Sequence, residues 1–164
     1  MEYVIAAVAQ AVLQRWRVGV AGVEQVEFRC GRGTEVVGDS DAAIVGFQMA
    51  HDRYGGVPEI GRAQVLRNHR NDGYPRHIVT TPPFPAGPEI DDEAELRTRL
   101  QLLFETCFDA VQRHNENAGA QRMTSLFLHV EGVGLDRYGQ VAASAFHHAV
   151  QRTSRIEQSS TRQQ

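Results

Sequence analysis

The chain has 164 residues, 41% of them hydrophobic and 23% charged, with a formal net charge of −3. These values describe one globular domain with a single core, and the acidic balance argues against a nucleic-acid coat, which needs a basic face. All 17 basic residues are arginine, which removes Schiff-base and P-loop lysines from consideration.

Taken in chain order, residues 3–16 carry Val4, Ala7, Val8, Val12 and Trp16 at helical spacing, which predicts an amphipathic first helix. Gln10 and Gln14 interrupt its apolar run and no positive segment precedes it, so neither a membrane span nor a secretory signal is expected. Residues 23–30 alternate Val26 and Phe28 with Glu27 and Arg29, the pattern of a strand, and residues 30–33 read as a turn. Residues 41–49 form a mostly apolar run that suits a buried strand, and residues 51–61, rich in glycine, proline and charge, read as a loop. A short strand is expected over residues 62–66, a polar turn over 68–75, and a strand over 76–81 that the prolines from Pro82 onward end, because proline cannot donate to a ladder.

The longest predicted helix spans residues 91–114. Acidic residues open it where the helix dipole favours them, and Leu96, Leu100, Leu103, Phe104, Cys107, Phe108 and Val111 make its buried stripe. A loop over 115–123 leads to an apolar strand containing Leu126, Phe127, Leu128 and Val130. Gly132 and Gly134 break that strand, and helical spacing returns over residues 138–152. The polar tail 154–164 is expected to be disordered. Strands alternating with helices predict an α/β domain with parallel strands in its C-terminal part.

A strand that runs into a glycine loop and a helix is where α/β proteins hold phosphates, because free backbone amides and the helix dipole point there. Gly132, Val133, Gly134 and Leu135 are therefore the first candidate ligand loop, against the reading of an ordinary strand-to-helix connection. Gly55, Gly56 and Val57 are a second candidate, with a plain turn as the alternative. Arg32 either binds a phosphate or ribose through its planar fork or is a solvated turn residue. Tyr138 either stacks on a ring or packs at the helix entry.

Other chemistry-bearing residues group less well. His51 and Asp52 are adjacent, and adjacent side chains rarely aim at one substrate atom. His129 is expected as a hydrogen-bonded core residue, and the adjacent His147 and His148 do not share a helix face, so no metal site is expected. Cys30 and Cys107 fit neither a disulfide framework nor a zinc spacing. Both are expected as reduced, buried thiols in a cytoplasmic protein, with no thiolate activation at the mid-helix Cys107.

The order of segments over residues 23–153 resembles a macro domain, the family that binds ADP-ribose and in some members removes it from proteins. Residues 26–33 (VEFRCGRG) resemble the family's strand ending in Gly-Asp-Ile. Ile44, Val45, Gly46, Phe47, Gln48 and Met49, leading to Tyr54, Gly55, Gly56 and Val57, resemble its Ile-Val-Asn-Ala-Ala-Asn strand and glycine loop. Residues 76–83 resemble its Tyr-Val-Ile-His-Thr-Val-Gly-Pro segment, and Gly134 stands on a glycine of its Ser-Thr-Gly-Ile-Tyr-Gly loop.

The sequence departs from that pattern at three places. Arg32 stands where the family aspartate holds adenine, the ribose-orienting asparagine falls near Met49, and the helix that normally follows the glycine loop is missing. The resemblance implies a three-layer α/β/α sandwich with a mixed central sheet over residues 1–153, with the N-terminal helix included. It implies binding of ADP-ribose or a related nucleotide diphosphate through Gly55, Gly56, Val57, Gly132, Val133, Gly134, Leu135, Arg32 and Tyr138, and no cofactor. The departures keep two alternatives open: a degenerate fold that binds a protein partner or a second copy, and an ADP-ribosyl hydrolase. No membrane or nucleic-acid partner is expected.

Overall fold

The computed structural model describes residues 10–16, 23–31, 41–57, 59, 61–69, 75–82, 92–117, 119, 122–131 and 137–162. Along these the chain forms β1 (Gln10–Trp16), β2 (Gln25–Gly31), β3 (Ala42–Val45), α1 (Phe47–Tyr54), β4 (Gln64–Arg67), β5 (His77–Thr80), α2 (Glu93–Asn117), β6 (Ser125–Glu131) and α3 (Arg137–Arg162). The strands make one six-stranded mixed sheet in the order β1-β2-β6-β3-β5-β4. β2, β6, β3 and β5 run parallel, while the edge strands β1 and β4 are each antiparallel to their neighbour.

β3 and β5, four residues each, are buried along their whole length, so both of their faces are covered. All four residues of β3 are buried, and alternation sends them to two cores. Ala42 and Ile44 join Leu126, Leu128 and Val79 in a first cluster that α2 and α3 fill with Phe104, Phe108, Val111, Phe146 and Val150. Ala43 and Val45 join Phe127, Ile78 and Ala50 of α1 in a second, smaller cluster. Phe146 is the aromatic centre of the first: its ring meets Phe104 edge-on at 5.3 Å and lies 5.7 Å from Phe108, arrangements that aromatic quadrupoles favour. Cys107 is fully buried there, and burial pushes its thiol far above the ordinary value, so it is inert as a nucleophile.

Three sequence expectations are corrected. Residues 10–16 are a strand, not the end of a helix; residues 3–9 lie outside the described residues. The register shifts between Val12 and Gln14, which breaks the period-two pattern of a strand, and β1 pairs with the edge of β2 away from β6. Strand pairing here overrides local propensity. Secondly, the buried run at 41–49 is a strand only to Val45. Gly46 then starts α1, which extends over the first part of the expected loop and stops where Gly55 adopts a left-handed φ of 83°. Thirdly, the tail is helical as far as Arg162, because no glycine or proline interrupts α3 beyond Arg152.

The starts of the parallel strands converge on Asp41. Its carboxylate accepts from the Arg76 guanidinium at 2.9 Å, the Thr124 amide at 2.9 Å and the Thr124 hydroxyl at 2.8 Å. Its own amide donates to Ser125 Oγ at 2.9 Å, and its carbonyl accepts from the Arg76 and His77 amides. One residue therefore ties the entries of β3, β5 and β6. Burial by itself would raise the Asp41 carboxyl, but the Thr124 and Arg76 donors together outweigh it and hold the group below its ordinary 3.8. A carboxyl depressed by folding contributes stability that is full above its unfolded value and is lost as pH falls through the folded value. Asp41→Asn is accordingly expected to flatten the acid limb of the stability curve below about pH 3.8, and Asp41→Ala to lower stability by about 3 kcal/mol at neutral pH. Urea titrations at stepped pH check both.

Candidate functional site

The candidate site is built at the C-terminal ends of the parallel strands, where β3 and β6 lie side by side. From β3 the chain enters α1, whose Ala50 packs in the second cluster. From β6 it proceeds to α3, whose Phe146 packs in the first. The two exits therefore leave toward opposite faces of the sheet. Adjacent parallel strands whose connections part in this way leave a crevice beyond their carboxyl ends, the topological switch point at which α/β sheets bind ligands.

The wall on the β3 side is the start of α1. Gly46 is its N-cap in extended conformation, exposed, with no side chain to cap the helix. A Cβ built on Gly46 would meet nothing within 4 Å. The Phe47 amide donates to Thr81 Oγ1 at 3.2 Å, and the Thr81 amide donates to the Val45 carbonyl at 3.0 Å, which ties the exit of β5 to that of β3. No acidic residue stands in the first turn of α1 to neutralise its positive end. The arrangement suits an anion.

The wall on the β6 side ends at Glu131. Gly132, Val133, Gly134 and Leu135 lie outside the described residues, as does Arg32, and Tyr138 is placed only as the second residue of α3. The departure noted near Met49 falls in the first turn of α1.

Gly55, Gly56 and Val57 lie at the far end of α1, and their amides serve the fold itself. The Gly55 and Gly56 amides both turn to the Ala50 carbonyl. The Val57 amide donates to Gln64 Oε1 at 3.1 Å, and Gln64 Nε2 donates back to the Val57 carbonyl at 2.8 Å. His51 Nδ1 completes the arrangement by donating to the Gly56 carbonyl at 2.8 Å, which commits one nitrogen of the adjacent His51 and Asp52 pair. Gly56 is buried against Leu66 and Thr80, so this segment stays at the same rim of the sheet while none of its three amides is spare for a diphosphate.

Two buried polar residues occupy the sheet face that carries Phe127. Glu27 is 2% exposed and accepts from Gln25 Nε2 at 2.6 Å; His129 is 5% exposed. Period-two alternation assigns Glu27 to the face opposite Val26 and Phe28, but it does not show that this face is buried. The missing signal is what covers it, which strand patterning does not encode. Among the described residues no three His, Cys, Asp or Glu side chains are grouped to hold a metal, and no helix is long and apolar enough to cross a membrane.

No protein-family model matches this chain, and no curated protein does. The left-handed Gly55 supplies one direct check: Gly55→Ala is expected to lose about 1 kcal/mol, because a Cβ is disfavoured at positive φ, and Gly55→Asn to lose less. Thermal and urea melts of both variants measure this.

Proposed function

We propose that the chain is a divergent macro-like module, a three-layer α/β/α sandwich with a mixed central sheet, that binds ADP-ribose or a related nucleotide diphosphate in the crevice between β3 and β6. The observation that carries this reading is the switch point itself, with the start of α1, whose N-cap Gly46 has no capping side chain, at the same end of the sheet. In this reading the diphosphate is held by the first-turn amides beyond Phe47, whose own amide is engaged by Thr81 Oγ1, and the resemblance assigns a second phosphate contact to Gly132, Val133, Gly134 and Leu135. Arg32 and Tyr138 keep the roles the sequence suggests for them, phosphate or ribose contact and ring stacking. The part assigned to Gly55, Gly56 and Val57 passes to the other end of the same helix, because their amides are already engaged.

Binding, rather than hydrolysis, is the favoured activity. Hydrolysis of an ADP-ribose linkage requires a water and a ribose held in reacting geometry. The position resembling the ribose-orienting asparagine carries Met49, with Gln48 beside it. The buried, protonated thiol of Cys107 suits a reducing cytoplasmic setting.

The engaged loop at residues 55–57 also favours a second reading, a degenerate fold that meets a protein partner or a second copy. Calorimetric titration with ADP-ribose, with AMP as the control, separates the two. Saturable micromolar binding of ADP-ribose is expected. Gly46→Asp should abolish it by at least tenfold while leaving the melting temperature equal or higher, because an N-cap aspartate stabilises a helix and repels a phosphate. The same absence of heat with ADP-ribose and AMP would sink the ligand reading and leave the interaction subunit.

A further inference from the structure

At the opposite end of the sheet from the crevice, the first residue of β5, His77, lies 8% exposed beneath the last turns of α2. Its ring meets the His114 ring edge-on, with centroids 4.9 Å apart. His77 Nδ1 is fully buried and, among the described residues, has no hydrogen-bond partner. A neutral imidazole tolerates this placement with Nδ1 as a bare acceptor. A protonated one places an N–H without an acceptor in a dry contact, at a cost that burial makes large.

The charges around the ring act mainly in one direction. Arg67 of β4 stands opposite His77 in the strand register, Arg76 precedes it in the chain, and His114 faces it from α2. Among the described residues Asp41 is the anion that opposes them, and its carboxylate is already shared between Arg76 and Thr124. Burial, then His114, Arg76 and Arg67, lower the His77 pKa below its ordinary 6.5, and Asp41 opposes them only in part.

One residue beyond His114, the Asn115 side chain clamps the strand that follows. Asn115 Nδ2 donates to the Met123 carbonyl at 3.0 Å, and Asn115 Oδ1 accepts from the Met123 amide at 2.8 Å. The end of α2 thus touches the sheet through His114 on His77 and holds the entry of β6 through Asn115.

We infer that the His77–His114 contact is an acid-sensitive latch: it closes the last turn of α2 onto β5 while His77 is neutral, and its opening on protonation frees the Asn115 clamp on Met123. The sign follows from the lowered value. Below about pH 6.5 the open or unfolded chain takes up the proton before the closed one does, so the closed form loses stability as pH falls from there through the folded value. The buried carboxylate at Asp41 responds in a lower window, which separates the two effects.

Amide hydrogen exchange by NMR at pH 7.5 and 5.5, corrected for intrinsic rates, tests this on the full chain. Protection of the Met123 amide and of the last turn of α2 is expected to fall at pH 5.5 by a factor that approaches about tenfold, the ceiling for one histidine, while that of β3 holds. His77→Phe keeps an aromatic ring and removes the titration, so the fall is expected to vanish. An equal fall in His77→Phe, or no fall in the native chain, would overturn the latch. Should His77→Phe not fold, imidazole nitrogen shifts of the native chain decide: a His77 ring neutral well below pH 6.5 supports the latch, and one titrating at 6.5 or above refutes it.

Discussion

A single buried carboxylate sets the geometry on which the rest of this structure depends. Three parallel strands must start in register without a hairpin to align them, since parallel strands are joined only through long crossovers. Asp41 solves this by accepting from Arg76 at the start of β5 and from Thr124 at the start of β6, while its own backbone leads into β3. Its partners lie 35 and 83 residues away in sequence, so one side chain closes loops that local structure cannot. A carboxylate in that position is stable only because several donors repay its desolvation.

With the strand entries fixed, alternation does the rest. β3, β5 and β6 each feed two cores, α2 and α3 fill the larger one, and α1 packs on the smaller. That division sends the exits of β3 and β6 to opposite faces and so creates the crevice at the far end of the sheet. The proposed ligand site is thus a consequence of topology, and its polarity comes from the backbone at the start of α1 rather than from a cluster of charged side chains. The two ends of α1 divide the labour: at its start Gly46 offers no side-chain cap and only the Phe47 amide is taken, by Thr81, whereas its finish is closed by Gly55, Gln64 and His51.

Much of this is legible in the sequence, for reasons that differ by element. α2 announces itself because Leu100, Phe104, Cys107, Phe108 and Val111 keep helical spacing and are all buried. β5 and β6 are visible as apolar runs bounded by turn residues. β1 is misread because its bulge destroys the alternation that marks a strand. α1 is misread because a glycine at the end of an apolar run looks like part of a strand, and only the helical φ and ψ beyond Gly46 distinguish the two. The glycine pair at residues 55 and 56 is correctly singled out as special. What sequence does not tell is that its amides are spent on Ala50 rather than offered to a ligand. Asp41 carries no local signal at all, since its importance lies wholly in partners far along the chain.

The central claim is that the start of α1, and not its end, faces the ligand. An amide-resolved NMR titration of the isotope-labelled protein with ADP-ribose tests it most directly. The account predicts saturable shifts at Gly46, Phe47, Gln48 and Met49, with Gly55, Gly56 and Val57 left in place. Shifts confined to residues 55–57, or no shifts at either end of the helix, would contradict it.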